Sequence, residues 1–427
     1  MGNCTSIQDS DDEHPTENAR RQIQATRDEQ RNDVVVLSEN PRLTYKNDDF
    51  MLSNDGSNYG GKIFTGYSGV QQVLLKMIYQ QEKKKMEREL SILSQLSHQN
   101  IATILYPFDI NERECFLVMT KFGTNLKNSI GTRKDNTQKM NIMLQLTDVM
   151  SYLQQNRILH LELSPRNVYI DDETDQIKLI NFHKSQKLKR MYGVYEFNDY
   201  ISGYAAPEIV KQKKVFLSSD IYALGCLFYF IITNGFDLPQ MEYENQAAKI
   251  SAQINTIKDD STFNVLCKDL IQKMLNFAPN KRISISTIKG HPWSWSAEKM
   301  TKLIVDISKL TEKDSKFISV LFKGSKKVIN GDWTLKLERN VIQTLQEIRQ
   351  KYQTNNGLSQ DEVKGTSILS LVRQLRNLHV HASNDKLVKI MGDNDEEFMK
   401  YWNRKFPLLI CHLYKCKLDY ESNENGS

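Results

Sequence analysis

His160-Leu161-Glu162-Leu163-Ser164-Pro165-Arg166-Asn167, followed a short distance later by Asn181-Phe182-His183, is the stretch on which the fold of this chain turns. Two short strand-like runs and a loop, between Val168 and Ile180, separate the two polar clusters. Between them they hold a carboxylate, Glu162, and two carboxamides, Asn167 and Asn181. Before this stretch, from Met51 onward, the pattern is of β type. Ile63-Phe64 and Val73-Leu74-Leu75 flank a loop containing Gly66 and Gly69, and Ile101 to Tyr106 and Phe116 to Met119 are strand-like again. Met86, Leu90, Leu93 and Leu96 recur at helical spacing, so a small sheet crossed by one helix is expected. Beyond Leu126 the chain turns mostly helical. More helices run from Ser296 to about Tyr414, punctuated by Gly324, Gly331 and the polar stretch Thr354 to Asp361. No fixed-period repeat interrupts this order.

A length of 427 residues is too great for one compact core and predicts two or three units. Hydrophobic residues at 39% and charged residues at 26% place the chain among ordinary soluble globular proteins. The net charge of +5 is mild and does not by itself point to nucleic acid. Lys83 to Lys85, Lys187 to Arg190, Lys211 to Lys214 and Lys323 to Lys327 read as solvated surface. The six cysteines form no C-x-x-C pair and no His cluster sits at zinc spacing, which fits a reducing, cytosolic compartment. The longest apolar run, Ile221 to Thr233, falls short of the ~20 residues a bilayer requires and is expected to be a buried core helix. Met1-Gly2-Asn3-Cys4-Thr5-Ser6 matches the pattern for myristoylation of Gly2, with Cys4 beside it as a palmitoylation site. Two acyl chains make a stable anchor where one does not. From Thr5 to about Asn40 the chain is polar, broken only by Val34 to Leu37. Residues 1–45 are therefore expected to form a flexible, lipidated tail holding the protein at the cytoplasmic face of a membrane.

Residues 46–295 resemble a protein kinase. A kinase catalytic loop reads H-R-D-x-K-x-x-N and its metal motif reads D-F-G. Here Leu161 stands for the Arg, Glu162 for the catalytic Asp, Ser164 for the Lys, and Asn181 for the Asp that holds magnesium. Lys76 matches the strand lysine that contacts the α- and β-phosphates, and Glu89 the helix glutamate that orients it. Ala206-Pro207-Glu208 matches A-P-E, Asp220 opens the buried helix, and Arg282 is placed like the arginine that pairs with that glutamate. The nucleotide loop, Gly56-Ser57-Asn58-Tyr59-Gly60-Gly61, has Asn58 where the middle glycine would fall. Glu162 keeps a carboxylate but moves it by about 1 Å, a displacement that costs on the order of a hundredfold in rate. Asn181 loses the negative charge that holds magnesium, while Asn167, the second metal ligand of the family, remains. Ser164 removes a cation that balances charge on the transferring phosphoryl group. The resemblance implies a pocket that takes ATP or ADP as a regulator through Lys76, Glu89, Asn167, Asn181, Gly56 and Gly61. Asn167 and Asn181 would hold Mg²⁺ weakly, and Glu162 would be a degenerate kinase base.

Ser367 to His381 reads SILSLVRQLRNLHVH, with Ile368, Leu371, Leu375 and Leu378 marking one buried helical face. Arg373, Asn377 and His381 lie four residues apart on another face, with Arg376 adjacent. A planar cation, an amide and an imidazole suit cleavage of a phosphodiester without metal. The extension resembles the nuclease domain of the inositol-requiring kinase/endoribonuclease family, which includes the unfolded-protein-response sensor and ribonuclease L. His291-Pro292-Trp293-Ser294-Trp295-Ser296 resembles its junction and Gly331-Asp332-Trp333 its Gly-Asp-Trp element. Arg376-Asn377 with His381 resembles its catalytic Arg-Asn…His, and Phe406-Pro407-Leu408-Leu409 with His412 and Tyr414 its closing helix. Carried over on that basis, His381 is the general acid, and Arg376 and Asn377 hold the scissile phosphate. Tyr352 is the candidate for the family's general base, with an insertion of roughly ten residues before Lys364-Gly365.

The fold class implied is α+β: a two-lobed protein kinase fold (46–295) followed by an all-helical kinase-extension nuclease domain (296–420). The implied activity is that of a membrane-tethered pseudokinase–endoribonuclease, an RNA-cleaving homodimer regulated by nucleotide. The alternatives are a serine/threonine kinase with weak residual transfer whose extension only dimerises, and a non-catalytic scaffold.

Overall fold

Val73 to Ile78 is buried along its whole length, which a strand achieves only when both faces of its sheet are covered. It belongs to β4 (Gln71–Tyr79) of a six-stranded antiparallel sheet with the order β1-β2-β3-β4-β6-β5. The other members are β1 (Val34–Glu39), β2 (Arg42–Lys46), β3 (Ile63–Ser68), β5 (Ile104–Asp109) and β6 (Glu114–Thr120). The computed structural model describes residues 34–39, 42–46, 63–79, 82–109, 114–132, 135–190, 195–196, 203–238, 246–257, 261–345, 367–380 and 385–424. The chain divides into two units, one formed by residues 1–96 with Ala102–Phe122, the other by Ser97–Ile101 with Gly123–Ser427.

In the first unit, alternation sends Val73, Leu75 and Met77 to one face, where they pack with Phe64, Phe116 and Val118. Phe64 and Phe116 meet edge to face with ring centroids 5.8 Å apart. Ile78 points to the opposite face and packs with Cys115, Leu117 and Met86 of helix α1 (Lys83–Leu93). Among the described residues the sheet begins at Val34, so the expectation of a flexible tail over residues 1–45 fails for its last part, where β1 and most of β2 belong to the sheet. The β-branched run Val34-Val35-Val36 supplies the strand propensity there, and β1 pairs with β2 from Val34↔Lys46 to Glu39↔Arg42.

The second unit is built on helices. The long helix α2 (Asn136–Gln155) is capped by Asp135, which accepts from Thr137 N at 3.2 Å. Helix α3 (Ser219–Ile232) is the apolar run noted above, and Ile221 to Ile231 is buried throughout. Gly225 lets it lie against α4 (Thr262–Met274), because a Cβ at 225 would sit 2.9 Å from Met274 Cβ. No helix among the described residues is long and apolar enough to cross a membrane. β7 (Thr124–Asn125), β9 (Val168–Ile170) and β10 (Ile177–Leu179) make a three-stranded sheet, and β8 (Ile158–Leu159) pairs with β11 (Gln186–Lys187). The described cysteines Cys115, Cys226, Cys267, Cys411 and Cys416 are all free and buried.

Beyond Trp295 the described residues are mainly helical. Ser296 caps α5 (Ala297–Lys313), which packs on α6 (Ser315–Phe322), α7 (Ile368–Val380), α8 (Asp395–Lys405) and α9 (Leu409–Glu424). Ile368, Leu371, Leu375 and Leu378 of α7 are buried, as their spacing predicts, and Val372 joins them. Glu208 and Arg282 form the expected buried pair, two parallel bonds of 2.6 Å, with Ser219 Oγ donating to the same carboxylate at 2.7 Å.

The extension is seated on the preceding helices by a cluster around Asp269 of α4. Its carboxylate receives Lys273 Nζ at 2.7 Å, His291 Nε2 at 3.1 Å and Lys415 Nζ of α9 at 2.6 Å. Burial would raise the Asp269 pKa, but the hydrogen bonds from His291, Lys273 and Lys415 hold it well below the usual carboxylate range. Tyr414 of α9 meets His291 and Trp295 edge-on, with centroids 5.4 and 5.6 Å away. The His-Pro-Trp-Ser-Trp-Ser junction is thereby tied to the last helix.

Candidate functional site

Each unit carries part of the resemblance to a kinase. In the first, Lys76 shares the sheet face of Ile78, and Glu89 sits one helical turn beyond Met86, so the two side chains converge. Lys76 Nζ donates to Glu89 Oε2 at 2.7 Å, and both are buried. Gly56 and Gly61 lie outside the described residues.

In the second unit the 160–167 loop hangs from Asp220, at the start of α3. The Asp220 carboxylate accepts from His160 N at 2.6 Å and Leu161 N at 2.9 Å. Burial raises its pKa to about 6. That anchor holds Leu161 in a left-handed conformation (φ 63°), which turns the next residue inward. The His160 ring braces the turn: Nδ1 accepts from Glu162 N at 3.2 Å and Nε2 donates to Ile180 O at 3.0 Å. Asn181 is left-handed as well (φ 75°), and Phe182-His183-Lys184 form a single 3₁₀ turn behind it.

The two turns bring Glu162, Asn167, Asn181, His183 and Lys184 into one buried network. Lys184 Nζ donates to Glu162 Oε1 at 2.5 Å. Asn181 Nδ2 donates to Glu162 Oε2 at 2.8 Å and is 3.3 Å from Asn167 Oδ1. Asn167 Nδ2 donates to Glu162 O at 2.7 Å. His183 sets Nδ1 at 2.6 Å from Asn181 Oδ1 and Nε2 at 3.3 Å from Glu162 Oε2. Sequence reasoning singled out Glu162, Asn167 and Asn181 and missed His183 and Lys184. The available signal was charge balance: a loop that loses its lysine at Ser164 while keeping a carboxylate needs a cation from elsewhere.

The nuclease-like patch lies on α7. Gly331 takes φ 94°, Asp332 caps the next turn by accepting from Thr334 N at 2.9 Å, and Trp333 is buried. Its indole Nε1 donates to Ser370 Oγ on α7 at 3.0 Å, which fixes the helix by its first turn. Three residues of α7 then matter. Arg376 Nη2 pairs with Glu312 of α5, and its Nε lies 3.4 Å from Ser308 Oγ. Asn377 is exposed, and His379 Nδ1 is 3.3 Å from Asp395 Oδ1. Arg376 and Asn377 therefore stand on one helix with the guanidinium pre-positioned by α5. Neither Ser308 nor Glu312 was anticipated, since both contacts join helices far apart in sequence. His381, Tyr352, Gly2 and Cys4 lie outside the described residues.

With this geometry established, two family matches divide the chain. Residues 56–294 match the Protein kinase domain family. Residues 302–426 match the Ribonuclease 2-5A family. The chain is 26% identical over 299 residues to the Serine/threonine-protein kinase/endoribonuclease ire-1 of Caenorhabditis elegans, covering 66% of this chain and 30% of that one. It is 24% identical over 415 residues to the Sensor for unfolded proteins in the ER ire1 of Schizosaccharomyces pombe, covering 86% and 38%. It is also 24% identical over 399 residues to the Serine/threonine-protein kinase/endoribonuclease IRE1 of Oryza sativa subsp. japonica, covering 87% and 43%. The chain thus spans less than half the length of each of these relatives.

Proposed function

This chain belongs to the protein kinase family and carries a Ribonuclease 2-5A domain behind the kinase domain, and from that premise we propose that it is a pseudokinase–endoribonuclease. The observation that carries the proposal is the fixed presentation of Arg376 beside the exposed Asn377, on a helix held by Trp333 and α5. RNA is the substrate. Arg376 and Asn377 bind the scissile phosphate, with the guanidinium offering its planar fork to two phosphate oxygens. Tyr352 takes the proton of the ribose 2′-hydroxyl as its oxygen forms the new bond to phosphorus. The P–O5′ bond breaks, and His381 gives a proton to the departing O5′. The products are a 2′,3′-cyclic phosphate and a 5′-hydroxyl, with no metal required.

The kinase-like domain, residues 46–295, acts as a regulator with phosphoryl transfer impaired. ATP or ADP binding, supported by the intact Lys76–Glu89 pair, favours a homodimer that joins two nuclease domains, 296–420. Acylation at Gly2 and Cys4 tethers the protein to the cytoplasmic face of a membrane and raises the local concentration for pairing. Purified chain is incubated with stem-loop RNA in EDTA. Cleavage that persists in the chelator and disappears in His381→Ala and Asn377→Ala supports the proposal. Cleavage lost in EDTA, or unchanged in both variants, refutes it.

A further inference from the structure

We propose that Lys184 takes the place of the divalent metal in this chain, so that nucleotide binds it without magnesium; the claim rests on the nucleotide-regulated reading above. Magnesium demands oxygens converging at about 2.1 Å in near-octahedral array. The oxygens at the relevant positions are already committed to N–H donors. Asn181 Oδ1 takes His183 Nδ1 at 2.6 Å, and Asn167 Oδ1 faces Asn181 Nδ2 at 3.3 Å. Glu162 Oε1 takes Lys184 Nζ at 2.5 Å, and Oε2 takes Asn181 Nδ2 at 2.8 Å. This donor set does not suit the metal.

The same contacts fix the orientation of the groups around the site. His183 Nδ1 faces a carboxamide oxygen and Nε2 faces a carboxylate oxygen, and both partners are acceptors only. Turning the Asn181 amide over would set its oxygen against the oxygens of Glu162 and Asn167, so the amide orientation is also determined. The Lys184 ammonium occupies the one carboxylate of the site, where a kinase places a metal held by aspartate. Lys184 and His183 are almost wholly buried, and a buried ammonium persists only where it is paired. An incoming Mg²⁺ would meet like charge and no free carboxylate, whereas a nucleotide phosphate would meet complementary charge already in place. The positive charge lost at Ser164 has been supplied from the other side of the loop by Lys184.

The test is a titration of the full chain with a fluorescent ATP analogue in EDTA and in millimolar MgCl₂. The expected dissociation constants agree within about twofold. Lys184→Met should weaken binding in EDTA by about tenfold, the loss of one charge-assisted contact. Lys184→Met combined with Asn181→Asp should restore a preference for magnesium, seen also as binding of Mn²⁺ by electron paramagnetic resonance. Wild-type binding at least about tenfold tighter with magnesium overturns the proposal, as does absence of binding in both buffers. The wild-type comparison needs no variant to fold. RNA cleavage in EDTA, measured on the same preparation, reports the nuclease assignment separately.

Discussion

Asn in place of Asp269 should release the joint between the kinase-like helices and the last helix of the extension. The substitution keeps the shape of the side chain and removes its charge. It also sets an amide N–H against one of the donors now satisfied by Lys273, His291 and Lys415. Breaking a buried pair from one side costs about 3–5 kcal/mol. The side chains of Lys273 and Lys415 are 32% and 50% exposed and can turn to water, whereas His291 at 1% cannot. The loss should therefore fall at the low end, about 3 kcal/mol. Urea unfolding followed by the fluorescence of Trp293 and Trp295, which flank the joint, reads it directly. The pH dependence has a definite sign. The Asp269 pKa is held below its unfolded value, so its contribution is present above about pH 4 and lost as pH falls further. Burial lowers the His291 pKa, which adds a loss of stability as pH falls below about 6.5. The gap between wild type and Asp269→Asn should accordingly close in strong acid. A gap under about 0.5 kcal/mol at pH 7, with no change in denaturant slope, would refute the buried-anchor account and reduce the cluster to solvated surface charge.

Three further outcomes are expected. Glu312→Ala should tighten RNA binding up to about fivefold, measured by fluorescence anisotropy in a His381→Ala background, because the carboxylate competes with phosphate for Arg376 through a solvent-screened pair. A fall in affinity would instead make Glu312 a positioning residue. Ser370→Ala leaves the buried Trp333 indole N–H without its partner and should cost about 1–3 kcal/mol in thermal or urea unfolding, with RNA cleavage reduced as α7 loosens. Arg282→Lys forfeits the two parallel bonds to Glu208 inside the core, and calorimetry should show destabilisation of about 3 kcal/mol.

What the sequence discloses is set by the range of the interaction. Lys76 and Glu89 belong to a strand and helix whose periodicities are visible locally, and each period points its residue at the other. Buried α3 is legible for the same reason, as an unbroken apolar run. Lys184 is not, because its meeting with Glu162 depends on two left-handed residues, Asn181, a type enriched in that conformation, and Leu161, a type no propensity places there. Glu312 reaches Arg376 only after α5 and α7 have packed. β1 and β2 are obscured by polar surroundings, since a strand pair added at a sheet edge needs little apolar content to form.

The position of Lys415 also bears on how the protein is made. A chain emerging from the ribosome presents Asp269 and His291 long before α9 exists to complete their cluster. Until then the nascent kinase-like helices expose an acid, an imidazole and the Trp295 ring on a surface destined to be covered. Interrupted translation would leave that seam open, a natural landing place for chaperones.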